Sequence, residues 1–327
     1  MPAKKHMATQ TAVPATAAVK KRNNQTGDTI ARLVTLIFAA IVVLLAVILV
    51  FQLWRDSAAS REKMGWAFLF SSKWDPVAEK FGALPFIYGT VVTSVLALLI
   101  AVPLGLGAAI FLAELAPAGI SSALTFLVEL LAAIPSVIYG VLAIFALVPL
   151  MRSYIGPFLK KTLGFLPLFQ GPAYGYGFLT AGIILAVMTL PFIISVSRES
   201  LLAVPRDQRE AALALGATRW EMTWQVVVPY AKLGILGSVF LALARALGET
   251  MAVTMVIGND PSIRASLLGP GYSIAAIIAN EFTEATSAVH LAALVELGLV
   301  LFCLTIVLNA AARLLILATS SKGTTRN

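Results

Sequence analysis

"RESLLAVPRDQREAALALGATRWEMTWQVVVPYAK", residues 198–232, is a short polar island between two long apolar runs. Pro205 sits where a helix start welcomes a residue without an N–H, and Gly216 sits where a helix would end. Thr218 and Glu221 have the spacing of a capping box, so a second helix is predicted to begin at once. Pro229 is expected to stop it. The predicted product is a compact helix, turn, helix held by membrane spans on both sides. It is too short, too tethered and too weakly basic to read DNA, so no nucleic-acid partner is expected.

Working outward, the 327-residue chain is 59% apolar and 12% charged, against about 25% charged in an ordinary soluble domain. Several stretches run 20 or more residues almost without ionisable groups, the length a helix needs to cross a bilayer. The sequence predicts an all-helical integral membrane protein with six spans: 33–54, 86–113, 123–151, 178–197, 233–257 and 291–312. A kink is expected at Pro103. Pro135, between "LLAAI" and "SVIYG", is either a hinge or an ordinary kink. The domain reading is a disordered basic tail over 1–29, a first membrane helix over 30–56 and an external interfacial segment over 57–85. A permease-sized core follows over 86–315, containing the polar loop at 200–229, and a tail over 316–327 closes the chain.

The net charge of +8 follows mainly from Lys and Arg in tails and short loops, the distribution that holds such segments in the cytoplasm. Six fall in the N-terminal segment through Arg32, five in 198–232 and three at the C-terminal end, against nine in the segments read as external. Both termini are therefore placed in the cytoplasm. The sole cysteine, Cys303, excludes a disulfide framework, and His6 and His290 lack neighbours at metal-ligand spacing. Neither a "GxxxxGK[ST]" loop nor a strand-linked "GxGxxG" is present, so the chain is not expected to hydrolyse a nucleotide or hold a cofactor. No internal repeat is evident.

"FLALARALGETMAVTMVIG", residues 240–258, carries Arg245 and Glu249 inside an apolar run. An Arg at the centre of a membrane helix costs about 2.5–3.5 kcal/mol on insertion scales. If the helix continues, Glu249 lies one turn on along the same face, though base before acid is the weaker order for such a pair. Two readings stay open: a buried ion pair, or an Arg245 that faces a wet pathway and meets an anion. The second is preferred, because intramembrane ionisable groups commonly mark substrate routes and a guanidinium fork suits a tetrahedral oxyanion. Glu249 would then orient Arg245 or hold a gate. Glu129 and Glu296, read in spans three and six, are candidates for helix packing, contact with a second subunit or gating.

The segment "EAALALGATRWEMTWQVVVP" places Glu210, Ala211 and Ala212 ahead of Gly216 and Pro229 at the spacing of the EAA loop of type I ABC-importer permeases, which it resembles. Val226 and Val228 stand where that family usually has Ile and Leu. "FGALPFIYGT" (81–90), "LLAAIPSVIYG" (130–140), "ALARALGETMAVTMVIGN" (242–259) and "EFTEATSAVHLAALVELGLVLF" (281–302) are similar to the phosphate permeases of that family.

The resemblance implies half of a phosphate pathway in the bacterial inner membrane, worked by alternating access. Glu210, Ala211, Ala212, Gly216 and Pro229 would belong to the coupling loop docked on a cytoplasmic ATPase. It further implies a sister permease of the PstA type, a homodimeric ATPase of the PstB type that binds ATP and magnesium, and an external phosphate-binding protein of the PstS type. Rival readings are a permease for phosphonate or sulfate and a proton-coupled carrier using Glu129, Glu249 or Glu296. An intramembrane enzyme is disfavoured, because no nucleophile and base lie at useful spacing.

Overall fold

The computed structural model describes residues 25–321. Residues 1–24 of the expected basic tail and residues 322–327 of the expected C-terminal tail lie outside them. The described residues are helical, with no strand and two isolated bridges, Asp75 to Lys80 and Gly258 to Gly271. The described residues fall into two compact units, divided between Val50 and Phe51. The helix Gln25–Asp56 begins in the first of them, so residues 25–29 are helical rather than part of a tail. The final helix, Ala288–Ser321, likewise runs six residues into the stretch read as C-terminal tail.

Among the described residues six helices are long and apolar enough to cross a bilayer: Thr29–Asp56, Leu84–Leu115, Ser136–Leu163, Phe178–Leu202, Arg219–Gly248 and Ala288–Leu314. The chain is a multi-pass membrane protein. Two spans differ from the sequence expectation. The stretch 123–151 is not one span: a separate helix, Ala118–Ala132, stops before Pro135, and the third span starts afresh at Ser136. Pro135 has φ −59° and ψ 142°, extended backbone outside either helix, so the chain breaks there rather than kinks. The helix Leu84–Ile110, by contrast, runs on through Pro103.

The fifth span is displaced as well. It occupies Arg219–Gly248 rather than 233–257, and a separate short helix, Met251–Val256, follows. Pro229 does not stop it. A π-turn over Thr223–Val227 widens the helix just before the proline, so its missing N–H is accommodated in a relaxed turn.

Span four is the centre of the second unit, with 61% of its most apolar stretch buried. Lipid offers no hydrophobic drive for helix association, so close packing of small residues has to supply it. Ala101 of span two, Ala186 and Ile193 of span four, and Ala242 of span five form one such contact. The 57–85 segment folds as short helices Ala58–Met64 and Ala67–Phe70 plus a turn, with Phe68, Phe81 and Phe86 packed on Ile274, Leu294 and Leu297.

Gly89 shows how tight this packing is. A Cβ there would lie 2.0 Å from the backbone oxygen of Tyr272. Gly89→Ala is expected to destabilise the fold by about 1–3 kcal/mol, because a backbone oxygen cannot rotate away. A lower thermal midpoint of the detergent-purified protein checks this, and an unchanged midpoint contradicts it.

Candidate functional site

The loop between spans four and five forms as its local chemistry dictates. The helix Arg206–Ala214 has Pro205 as its N-terminal flank. Beyond its end, Gly216 adopts φ +88°, the left-handed conformation that glycine accepts without steric cost. The Gly216 N–H donates to Leu213 O at 3.0 Å and the Ala217 N–H to Ala212 O at 3.2 Å, the paired closure of a Schellman motif. Thr218 then caps the next helix: the Glu221 N–H donates to Thr218 Oγ1 at 3.3 Å, and the Thr218 N–H donates to Glu221 Oε2 at 2.8 Å.

The two alanines after Glu210 face opposite ways. Glu210 and Ala211 are exposed, whereas Ala212 packs on the cluster of Ile110, Leu201, Met222 and Val227. Leu215 is 90% exposed, and Trp220 and Trp224 meet edge to face at 5.6 Å with both rings largely open. The outer surface of the loop thus mixes large apolar side chains, Leu215, Trp220 and Trp224, with charged ones, Asp207, Glu210 and Arg219. Thr218→Ala is expected to cost about 1 kcal/mol of local stability, roughly fivefold faster exchange of the amides at 219–221. Unchanged exchange would contradict the capping role.

Deeper in the membrane, the Ser197 and Ser238 hydroxyls hydrogen-bond to each other at 2.9 Å and fix the level of span five against span four. Two turns along, the Arg245 guanidinium lies over the Phe192 ring, 4.5 Å from its centroid, and Phe192 is the fifteenth of the 25 residues of span four. Arg245 therefore sits near mid-depth. It is nevertheless in the last turn of its own helix, because span five ends at Gly248.

Glu249 is where the chain leaves span five: its φ of −70° is still helical and keeps it one turn beyond Arg245, while its ψ of 125° turns the backbone away after it. Among the described residues no carboxylate forms an ion pair with Arg245. Glu249 Oε1 instead accepts a long 3.5 Å hydrogen bond from the Ala252 N–H, at the start of the short helix Met251–Val256. The physical reason is the Gly-Glu-Thr break itself, which releases the backbone and lets the carboxylate turn toward free N–H groups.

What holds Arg245 without a carboxylate? A cation near a helix C-terminus gains about 0.3–1 kcal/mol, rising to about 2 kcal/mol when partly buried. A desolvated cation over an aromatic ring gains about 0.5–2 kcal/mol. Together these are comparable with the insertion cost of about 2.5–3.5 kcal/mol. The chain can keep the guanidinium in place while Nε, buried, has no hydrogen-bond partner among the described residues. An acceptor would have to enter the site to satisfy a donor so placed.

The Pro135 break lies against the same region. The Tyr139 hydroxyl donates to Leu131 O at 2.9 Å, tying the two sides of the break together. Gly140 packs against Ala252 and Met255, bringing the start of span three onto the helix after Glu249. Two interrupted membrane helices thus converge beside one cation. Irregular backbone at membrane depth is tolerated where it is enclosed by protein or lines a wet cavity. On span five itself, Tyr230, Leu233, Gly237, Leu241, Ala244 and Gly248 recur every three or four residues along one exposed face adjoining Arg245.

The remaining candidates separate from this site. Glu129 is on the helix Ala118–Ala132, not in span three, and is exposed. Glu296 is in span six and buried; it accepts a hydrogen bond from Ser60 Oγ, fastening the short helix Ala58–Met64 to that span. His290 is also packed in place, stacked on Phe81 at 5.1 Å and 2.9 Å from the Glu281 carboxylate through Nε2. Phe192 and Tyr139 were not among the sequence candidates. Aromatic residues in apolar runs give no signal of their own, although Tyr139 stands four residues after a membrane proline.

Comparisons with known proteins place these features in context. Residues 101–320 match the family model described as binding-protein-dependent transport system inner membrane component. Similar curated proteins include a phosphate transport system permease protein PstC of Xylella fastidiosa, 51% identical over 79% of this chain and 81% of its own length. Another, with the same name, from Pasteurella multocida is 45% identical over 94% of this chain and 97% of its own. Among solved structures, a chain of a bacterial ABC transporter involved in the import of the acidic polysaccharide alginate aligns over 88% of this chain and 98% of its own. Its TM-score is 0.52 at 18% identity, a likeness of fold alone.

Proposed function

This chain belongs to the PstC family of phosphate permeases within the binding-protein-dependent transport system inner membrane components, and on that premise we propose how it works. It forms one half of an inorganic phosphate pathway, and a PstA-type sister permease forms the other. The observation that carries this reading is Arg245, held near mid-depth over Phe192 between two helix breaks with Nε unpartnered. Phosphate oxygens are strong acceptors matched to a guanidinium fork. The exposed face of span five beside Arg245 suits a second subunit, which would enclose a wet cleft along it.

Energy comes from outside the chain. A PstB-type ATPase homodimer binds ATP and magnesium, and this subunit needs no cofactor of its own. The loop carrying Glu210, Ala211 and Gly216 docks on that ATPase through its outer surface, where Leu215, Trp220 and Trp224 are exposed. Both termini and this loop are cytoplasmic, and the protein resides in the bacterial inner membrane among its lipids. ATP binding closes the ATPase dimer and moves the loop, and the spans open outward to accept phosphate from a PstS-type binding protein. Hydrolysis resets them. Glu249, held at the start of the helix Met251–Val256 when the anion is absent, guards the place next to Arg245.

Uptake of labelled phosphate by cells expressing the whole complex tests the reading. Excess unlabelled phosphate should abolish the signal, whereas sulfate and phosphonate should leave it. Equal competition by sulfate would make the chain a permease for another oxyanion. Uptake that survives loss of the ATPase but fails with the proton gradient would make it a secondary carrier.

A further inference from the structure

One guanidinium joins three elements at the inner end of the loop. Arg209, in the helix Arg206–Ala214, donates from Nη2 to Glu114 Oε1 at 2.9 Å and from Nε to Glu114 Oε2 at 3.4 Å. The same side chain donates from Nη2 to Leu201 O at 2.7 Å and from Nη1 to Val204 O. Glu114 lies in the π-turn Phe111–Leu115 that closes span two. Leu201 lies in the last turn of span four and Val204 two residues beyond it, in the turn that leads into the loop.

The pair is enclosed, with side-chain exposures of 17% for Arg209 and 6% for Glu114. The other Lys and Arg pairs among the described residues are solvent-facing or local: Lys63 with Glu79, Arg198 with its neighbour Glu199, and Arg264 with Asp260 four residues away. Arg209 is one residue before Glu210 but turns inward, while Glu210 and Ala211 face out. One short helix therefore presents the proposed docking surface on one side and a forked, enclosed anchor on the other.

Stability alone gives such a pair little reason to exist, because desolvation offsets much of the attraction and apolar residues could fill the same volume. Its distinct property is direction. Several hydrogen bonds from one planar group fix the orientation of the helix against two spans together, which a point charge or an apolar contact does not do.

We propose that the Arg209 and Glu114 clamp transmits movement of the docked loop into spans two and four, making Arg209 a positioning residue for coupling ATP hydrolysis to transport. The inference rests on the reading of the loop as the ATPase dock.

The test uses the complete complex in liposomes, with Glu114→Gln, which keeps size and an acceptor but removes the charge, and Arg209→Lys, which keeps the charge but removes the fork. Both variants are expected to co-purify with the ATPase at the wild-type ratio and to hydrolyse ATP. Phosphate moved per ATP hydrolysed should fall at least about tenfold, a ratio that a smaller amount of folded complex would not change. A wild-type ratio in either variant overturns the proposal, as does loss of the ATPase from both, which would make the pair part of the dock itself.

Should the variants fail to fold, the native pair can be tested in place. Spin labels at Gln208→Cys and Leu115→Cys, in a Cys303→Ser background, should keep their separation when ATP is added. A changed separation overturns the clamp. The docking reading fails separately, if Gly216→Val leaves ATPase association untouched.

Discussion

Arg245→Gln is expected to lower phosphate uptake on the order of a hundredfold or more, the scale of losing a preorganised donor to an oxyanion in a low-dielectric site. The complex should still assemble, because Arg245 forms no ion pair within the described residues whose loss would strand a buried charge. The glutamine keeps a donor near the position of Nε but loses the charge, the fork and the guanidinium contact over Phe192. Arg245→Lys should recover part of the uptake, since the charge remains while the paired N–H geometry is lost. Uptake of labelled phosphate, normalised to complex recovered from the membrane, is the measurement. Wild-type uptake by Arg245→Gln would remove Arg245 from the pathway.

Gly216→Val has the second large effect, and the structure alters the reason for expecting it. A Cβ at Gly216 would meet nothing within 4 Å, so bulk inside this chain is not the obstacle. Its φ of +88° is. A left-handed conformation costs an L-residue with a Cβ roughly 1–2 kcal/mol, or about 5- to 30-fold in the population of the correctly closed loop. Co-purification of the ATPase should fall by that factor. Gly216→Asn should retain most of it, because Asn tolerates the left-handed region. Association of the valine variant at the wild-type level would count against the docking role.

How much of this was legible beforehand depended on the range of the interaction. The capping box at Thr218 and Glu221 and the glycine closure at Gly216 are local, and sequence spacing states both. The six spans were legible because membrane length and apolar composition constrain the chain strongly. Their boundaries were less so. Apolar runs continue across the breaks at Pro135 and Gly248, since a membrane break needs no polar residues when neighbouring helices enclose it. A continuous helix was therefore assumed past Glu249, where the chain turns away and the carboxylate bonds to the Ala252 N–H instead of pairing with Arg245.

Pro229 misled in the opposite direction. A proline reads as a stop only when the turn before it is an ordinary one, and the π-turn over Thr223–Val227 removes that condition. Glu114 was missed because its partner lies 95 residues away in sequence. A carboxylate at the end of an apolar run was a signal, but nothing local could pair it with Arg209. Glu296 and Glu129 carried the same signal at sequence level, yet one proves bonded to Ser60 and the other is exposed on a helix outside the spans.

The central claim is that the face of span five beside Arg245 borders water that phosphate enters. Ala244 is exposed on that face and leaves Arg245 intact, so Ala244→Cys in a Cys303→Ser background reports on it directly. In the assembled complex, a membrane-impermeant anionic thiol reagent added from outside should modify this cysteine during ATP turnover. Phosphate delivered by the binding protein should slow the reaction, while sulfate should not. No modification in the nucleotide-free, ATP-bound or cycling complex would place that face in lipid or dry protein and contradict the account.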